Sequence, residues 1–116
     1  MSAFSSLQVL QGYLKVVSDR QQMIASNMAN IDTPGYHTKD LNFQAAMKQV
    51  MNTEGEPRFE PASQEIVGLP ERPDGNNVNI DRESMLLSQT QLQYSLGVQM
   101  VKSSLHTLYS AIKDGN

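Results

Sequence analysis

The sequence has no cysteine and no tryptophan. The first absence excludes a disulfide framework and a thiolate metal site. With only two histidines, His37 and His106, a zinc site would have to lean on carboxylates. Aromatics make up 6% of the residues, so a large compact core is not advertised. The net charge of −3 gives no electrostatic footprint for nucleic acid. No apolar run exceeds three residues, too short for a membrane span or a secretory h-region. The expectation is a cytosolic protein, or one that leaves the cell without a cleaved signal. At 116 residues the chain is one structural unit, read as residues 1–36, 37–80 and 81–116.

What is present is helical periodicity at both ends. Ser5-Ser6-Leu7-Gln8 fits a capping box with Ser5 as N-cap, and Phe4 and Val9 fit a hydrophobic staple. From there Leu7, Leu10, Leu14, Val17, Gln21, Ile24, Met28 and Ile31 alternate spacings of three and four. This predicts a helix over 5–31 with one polar insertion in its seam. A second stripe of Val9, Tyr13, Val16 and Met23 lies roughly 100° round the axis. The apolar sector is therefore wider than one partner helix covers. Gly12 costs about 1 kcal/mol relative to alanine inside a helix; it either permits close packing or is merely tolerated.

Thr33-Pro34-Gly35 ends this helix. Proline lacks the N–H that a continuing helix needs and drives Thr33 out of the α region. Gly35 supplies a left-handed position, so Pro34-Gly35 reads as a type II turn. Asn27 and Asn30, three apart on the last turn, have amides that reach freed carbonyls or a neighbouring chain.

The middle is less regular. His37-Thr38-Lys39-Asp40 reads as polar connection. His37 has no second ligand near it in the sequence and is expected to face solvent or to pack. Asn42 can cap a short helix carrying Phe43, Met47, Val50 and Met51. Residues 52–80 hold four of the five prolines, which predicts irregular loop or extended chain. Arg58-Phe59-Glu60 and Gln64-Glu65-Ile66-Val67 are candidates for short strands, and Asp74-Gly75-Asn76-Asn77 for a turn. A loop of about 28 residues is unusual inside a compact domain, so it is either disordered or laid against something else.

The last helix is predicted over 81–113, with Asp81 as N-cap and Glu83 placed to suit the helix dipole. Leu87, Tyr94, Val98, Val101, Leu105, Leu108 and Ile112 continue a three-four seam, with Met85, Leu92, Leu96 and Met100 on roughly the opposite side. Between Ser84 and Ile112 the only formally charged residue is Lys102. A helix standing in water normally carries a charged face, and glutamine at this density does not suit a bilayer. This helix calls for protein on most sides. At about 1.5 Å per residue the two helices run roughly 40 Å and 50 Å. The expected fold is all-α: an antiparallel coiled-coil-like pair of terminal helices, with a short helix and an irregular Pro/Gly-rich middle. Such a pair would bury one seam from each helix and leave apolar surface that marks an interaction site.

The enzyme signatures are missing. There is no paired-carboxylate helix face with a basic partner, no nucleophile elbow and no phosphate-cradling glycine loop. No catalytic, cofactor or metal residue is assigned.

Ala25-Ser26-Asn27-Met28-Ala29-Asn30, followed by Asp32-Thr33-Pro34-Gly35-Tyr36, resembles the N-terminal signature of bacterial flagellar rod and hook axial proteins. Asp74-Gly75-Asn76-Asn77-Val78-Asn79-Ile80-Asp81-Arg82-Glu83, followed by Gln91-Leu92-Gln93-Tyr94, resembles the C-terminal signature of a basal-body rod member, and Arg20-Gln21-Gln22 fits as well. On this resemblance Asn27, Ala29, Asn30, Thr33, Pro34, Gly35, Tyr36, Asp81 and Glu83 are motif positions, and the two seams are assembly surfaces. The resemblance implies a structural subunit of the proximal rod, the shaft that transmits motor torque through the periplasm. It also implies export through the flagellar type III apparatus and self-association in a helical array. The implied partners are the rod proteins FlgC, FlgF and FlgG, the adaptor FliE and the MS-ring protein FliF. The alternatives are the sister rod protein FlgC itself and, from another class, a soluble helical adaptor or export chaperone.

Overall fold

The computed structural model describes residues 3–52 and 63–115, with side chains from Ser5 onward. Five elements follow in order: α1 (Ala3–Ala29), β1 (Lys39–Leu41), α2 (Phe43–Asn52), β2 (Ser63–Glu65) and α3 (Ile80–Asp114). Leu14 lies beside Gly97 and Asn27 beside Glu83, so position rises along α1 as it falls along α3. The pair is antiparallel, and the molecule is a rod of 68 × 25 × 18 Å.

Two helix starts differ from expectation. Ser5 is inside α1, not its cap; the proposed staple falls on Phe4, whose side chain is outside the described residues. The N-cap of α3 is Asn79, whose side chain accepts from the Arg82 N–H at 3.1 Å. Asp81 is instead an exposed first-turn carboxylate, where it suits the dipole. Asn79 wins because its extended backbone aims the amide oxygen at the third residue on, the geometry an N-cap requires. Asn42 does cap α2, accepting from the Ala45 N–H at 3.1 Å.

Helix α1 stops at Ala29, before the expected end. Proline in a helix clashes with the carbonyl four residues earlier, which for Pro34 belongs to Asn30. The Asn30 amide turns back onto the Ser26 carbonyl at 2.7 Å. Gly35 has φ +74°, and Tyr36 N–H reaches the Thr33 carbonyl at 3.2 Å, as the type II turn requires.

The wide apolar sector of α1 has two covers. On one side Val16 packs with Leu41, Ala46 and Val50, flanked by Met23, Phe43 and Met47. Tyr13 meets Phe43 edge to face, centroids 5.9 Å apart. On the other side α3 lies along the helix. Gly12 proves to be a packing residue: a Cβ there would stand 2.3 Å from Val50 Cγ1. Gly97 does the same on α3, where a Cβ would stand 2.7 Å from Leu14 Cδ2.

Lys39 and Asp40 were expected as connection but, with Leu41, form β1, antiparallel to β2 with Lys39 opposite Glu65 and Leu41 opposite Ser63. Of the two strand candidates, Gln64-Glu65 lies in β2 while Ile66-Val67 follows it. Arg58-Phe59-Glu60 lies outside the described residues. His37 is half-exposed, with Nδ1 3.3 Å from Glu65 and Nε2 3.1 Å from Glu71, so it ties the 63–71 segment to the turn.

The face that α3 turns inward is the main departure. Its buried residues are Glu83, Leu86, Thr90 and Gly97. The expected seam is offset from it: Leu87, Val98, Val101 and Leu108 are half-buried, whereas Tyr94 and Leu105 are 40% and 50% exposed and Ile112 more so. The reason is steric and polar. Gly97 admits Leu14 and Tyr13, and Glu83 is held by partners that no apolar side chain could use. On α1, by contrast, Val17 and Ile24 of the expected seam are fully buried, and Leu7, Leu10, Leu14 and Met28 half-buried.

Candidate functional site

Among the described residues no group of His, Asp and Glu is placed to hold a metal ion, and no helix is long and apolar enough to cross a membrane. What stands out is a polar junction where the two signature stretches meet, together with the uncovered apolar surface of α3.

The junction centres on Asn27, which is 1% exposed. Its Nδ2 donates to the Lys39 carbonyl at 2.8 Å and to Glu83 Oε2 at 3.2 Å. Its Oδ1 accepts from the Tyr36 hydroxyl and from the Lys39 N–H, each at 3.0 Å. An amide has two donors and an acceptor with two lone pairs, and here all are used. Asn27 thus pairs with the backbone of β1 as a strand would. An aliphatic residue would leave that backbone unpaired in a buried place.

Glu83 is fully buried, so its charge needs partners. Arg82 Nη1 donates to Oε1 at 2.7 Å, and Arg82 Nη2 lies 3.8 Å from Asp40 Oδ2. Asp40 in turn receives the Arg20 fork, from Nε at 3.1 Å and Nη2 at 3.0 Å. Positive and negative groups therefore alternate from α1 through β1 to α3. Arg20 had no role beyond matching a motif in the sequence. Its role depends on Asp40, twenty residues away on a strand that periodicity did not reveal.

The second signature caps the first. Asn76 is fully buried, and its Nδ2 donates to the carbonyls of Asn30 and Thr33 at 2.9 and 2.8 Å. Each of these carbonyls also accepts a backbone N–H, from Thr33 and Tyr36 respectively, so the amide fills a second lone pair on both. Asn76 Oδ1 accepts from the Val78 N–H at 2.8 Å. Gly35 N–H donates to the Asp74 carbonyl at 2.8 Å, and Asn77 N–H to the Tyr36 carbonyl at 3.2 Å. Thr38 N–H donates to Asn77 Oδ1 at 2.6 Å. Arg72 reaches the Ile31 carbonyl and, at 3.3 Å, the Val78 carbonyl. Gly75 has φ +84°, and a Cβ there would stand 3.4 Å from Gly35 Cα. The two turns lie backbone to backbone.

The motif residues divide accordingly. Asn27, Tyr36 and Glu83 meet directly, and Asn30 and Thr33 are met by Asn76. Ala29, Pro34 and Asp81 are exposed and have no part in the junction. Sequence reasoning treated Asn76 and Asn77 as an isolated turn and gave Arg72 no role. The signal was present in their asparagine content, since asparagine amides bond backbone readily, but the distant partner was not visible.

Apart from Met51 and Val67, the large exposed apolar side chains among the described residues are on α3. Met85, Leu92, Leu96 and Met100 form one exposed strip. Tyr94, Leu105, Tyr109 and Ile112 form a second, on the other flank of the α1 contact. Between them on the outer side lie Ser84, Ser88, Gln91, Ser95, Gln99 and Lys102, all exposed. Large contiguous exposed apolar surface marks protein interaction.

Comparison with known proteins gives a consistent result. The profile of the family described as "Flagella basal body rod protein" matches residues 7–37. Over 97% of its length the chain is 28% identical to the flagellar basal body rod protein FlgB of Salmonella typhimurium, covering 96% of that protein. It is 30% identical to FlgB of Aeromonas hydrophila, over 86% of each chain. With FlgB of Borrelia hermsii the identity is 32%, over 78% of this chain and 83% of the relative.

Proposed function

The chain belongs to the family of flagellar basal body rod proteins FlgB, structural components of the rod, and from that premise we propose how it works there. It is a subunit of the proximal rod and acts by packing, without a reaction centre. Each copy offers its two α3 strips to different surfaces of its neighbours. A patch that meets a different patch builds an open helical array, not a closed dimer. The rod made in this way carries motor torque through the periplasm.

The observation that carries this reading is the state of α3. Seven large apolar side chains from Met85 to Ile112 are at least half exposed on a helix with one charged residue between Ser84 and Ile112. Copies of the chain, and the related rod proteins FlgC, FlgF and FlgG, are the occupants that suit strips so poor in charge. FliE and the MS-ring protein FliF are the partners at the base. The chain reaches the periplasm through the flagellar type III apparatus. Isolating basal bodies and locating the chain by electron microscopy tests this. Density for the chain in the rod segment next to the ring is expected; its absence from purified rods would overturn the reading.

A further inference from the structure

Helix α3 has two faces that suit contact with α1, and the less apolar one is in use. Leu86, Gln93, Gly97 and Ser104 lie toward α1, buried or half-buried. The seam is the more apolar choice, yet Leu87 and Val98 are only half-buried and Tyr94 and Leu105 are exposed. The mean direction of the buried residues Glu83, Leu86, Thr90 and Gly97 differs from that of the whole seam from Leu87 to Ile112 by roughly 50° at about 100° per residue. Burial of apolar area alone favours the seam. The used face even carries a cost: Gln93 Oε1 is buried with no hydrogen-bond partner, and an unpaired buried acceptor is unfavourable.

Something other than apolar burial therefore selects the observed rotation. The junction supplies it. Glu83 is on the used face, and its carboxylate is met by Asn27 of α1 and by Arg82. A turn of α3 that brought the seam inward would pull Glu83 from Asn27, leaving Glu83 Oε2 without the amide N–H that meets it while Arg82 still holds Oε1. Buried polar groups of this kind fix register where apolar packing is ambiguous.

We propose that the Asn27–Glu83 contact is a rotational lock, which keeps the exposed seam residues Tyr94, Leu105 and Ile112 of α3 turned out and available for neighbouring subunits. Without it α3 rolls, the seam folds onto α1, and the chain satisfies itself. This rests on the reading of α3 as an assembly surface, but its test is made on the free chain and can fail separately. The natural sequence has no cysteine, so one introduced thiol is a clean reporter. Leu105→Cys reports the seam and Leu86→Cys the used face. Each is made in the full chain, alone and with Glu83→Leu or Glu83→Gln. Maleimide labelling rate and circular dichroism are then measured.

With Glu83 intact, Leu105→Cys labels fast and Leu86→Cys slowly. With Glu83→Leu, helicity is kept, labelling at 105 falls roughly tenfold and labelling at 86 rises by a similar factor, as protection follows access. Glu83→Gln keeps an acceptor for Asn27 and keeps the original pattern. Unchanged labelling with Glu83→Leu overturns the lock. So does a rise at 86 without a fall at 105, which is fraying. Loss of helicity with Glu83→Leu also overturns it, because then no second packing was being held off. If the labelling inverts but the chain is absent from rods, the lock stands and the assembly reading fails.

Discussion

Asn27 on α1 donates its amide to the carboxylate of Glu83 on α3 at 3.2 Å, joining residues 56 apart in sequence. The contact is buried, and it lies where the two signature stretches come together. Each residue is further tied to its own surroundings, Asn27 to the backbone of β1 and Glu83 to Arg82. Helix, strand and helix are thereby fixed relative to one another at one end of the rod.

Asn27→Ala is expected to destabilise the chain by about 3 kcal/mol. It strands the Lys39 N–H and C=O, the Tyr36 hydroxyl and part of the Glu83 carboxylate, and unpaired buried groups cost about 1–3 kcal/mol each before relaxation. Urea unfolding followed by circular dichroism measures this. A loss below about 0.5 kcal/mol, the range of ordinary surface changes, would mean that water replaces the amide freely and the site is not closed.

Gly12→Ala separates two roles for the glycine. If helix propensity governed, alanine would stabilise by about 1 kcal/mol. The space decides otherwise, since the new Cβ would stand 2.3 Å from Val50 Cγ1. Overpacking of about 1–3 kcal/mol is expected. Val50→Ala in the same chain should recover part of it, giving a favourable coupling in a double-mutant cycle. Additive losses would show that the two residues do not press on each other.

Pro34→Ala and Asn76→Ala should differ in size. Pro34 is exposed, and the turn is also held by Gly35 and by the Asp74 carbonyl. Its loss should cost less than about 1 kcal/mol, mainly through the unfolded chain. Asn76→Ala strands the buried Val78 N–H and removes one of the two bonds to each of the Asn30 and Thr33 carbonyls, and should cost about 2–3 kcal/mol. Comparing the two midpoints in thermal melts checks the order. A larger effect at Pro34 would return the main role to the turn itself.

Leu105→Asp should leave the fold of the free chain nearly unchanged, within about 0.5 kcal/mol, because Leu105 is already half exposed. In the cell it should permit export but abolish motility by placing a charge in the seam. Normal rods built from this variant, seen by electron microscopy, would remove the seam from the assembly surface.

How far the chain could be read in advance depends on the range of the forces involved. Heptad spacing along Leu7 to Met28 and along Leu87 to Ile112 is local, so both long helices were legible, as was the stop at Pro34. The short helix with its Asn42 cap was legible for the same reason. The short β pair was not: Lys39-Asp40-Leu41 has too few residues for a period, and its pairing with Ser63-Gln64-Glu65 is a long-range event. The roles of Arg20, Arg72, Asn76 and Asn77 stayed hidden because a polar side chain signals its capacity to bond but not its partner.

The sequence by itself determined that the chain has two long helices and that its last helix is too poor in charge to suit water. Periodicity and composition act within a few turns, and those turns are contiguous in the chain. Only the tertiary structure decided which side of α3 meets α1. Apolar burial has no direction and would have favoured Leu87 to Ile112. Hydrogen bonds to Glu83 have direction, and the space beside Gly97 has a shape. Those two constraints exist only once distant residues have come together.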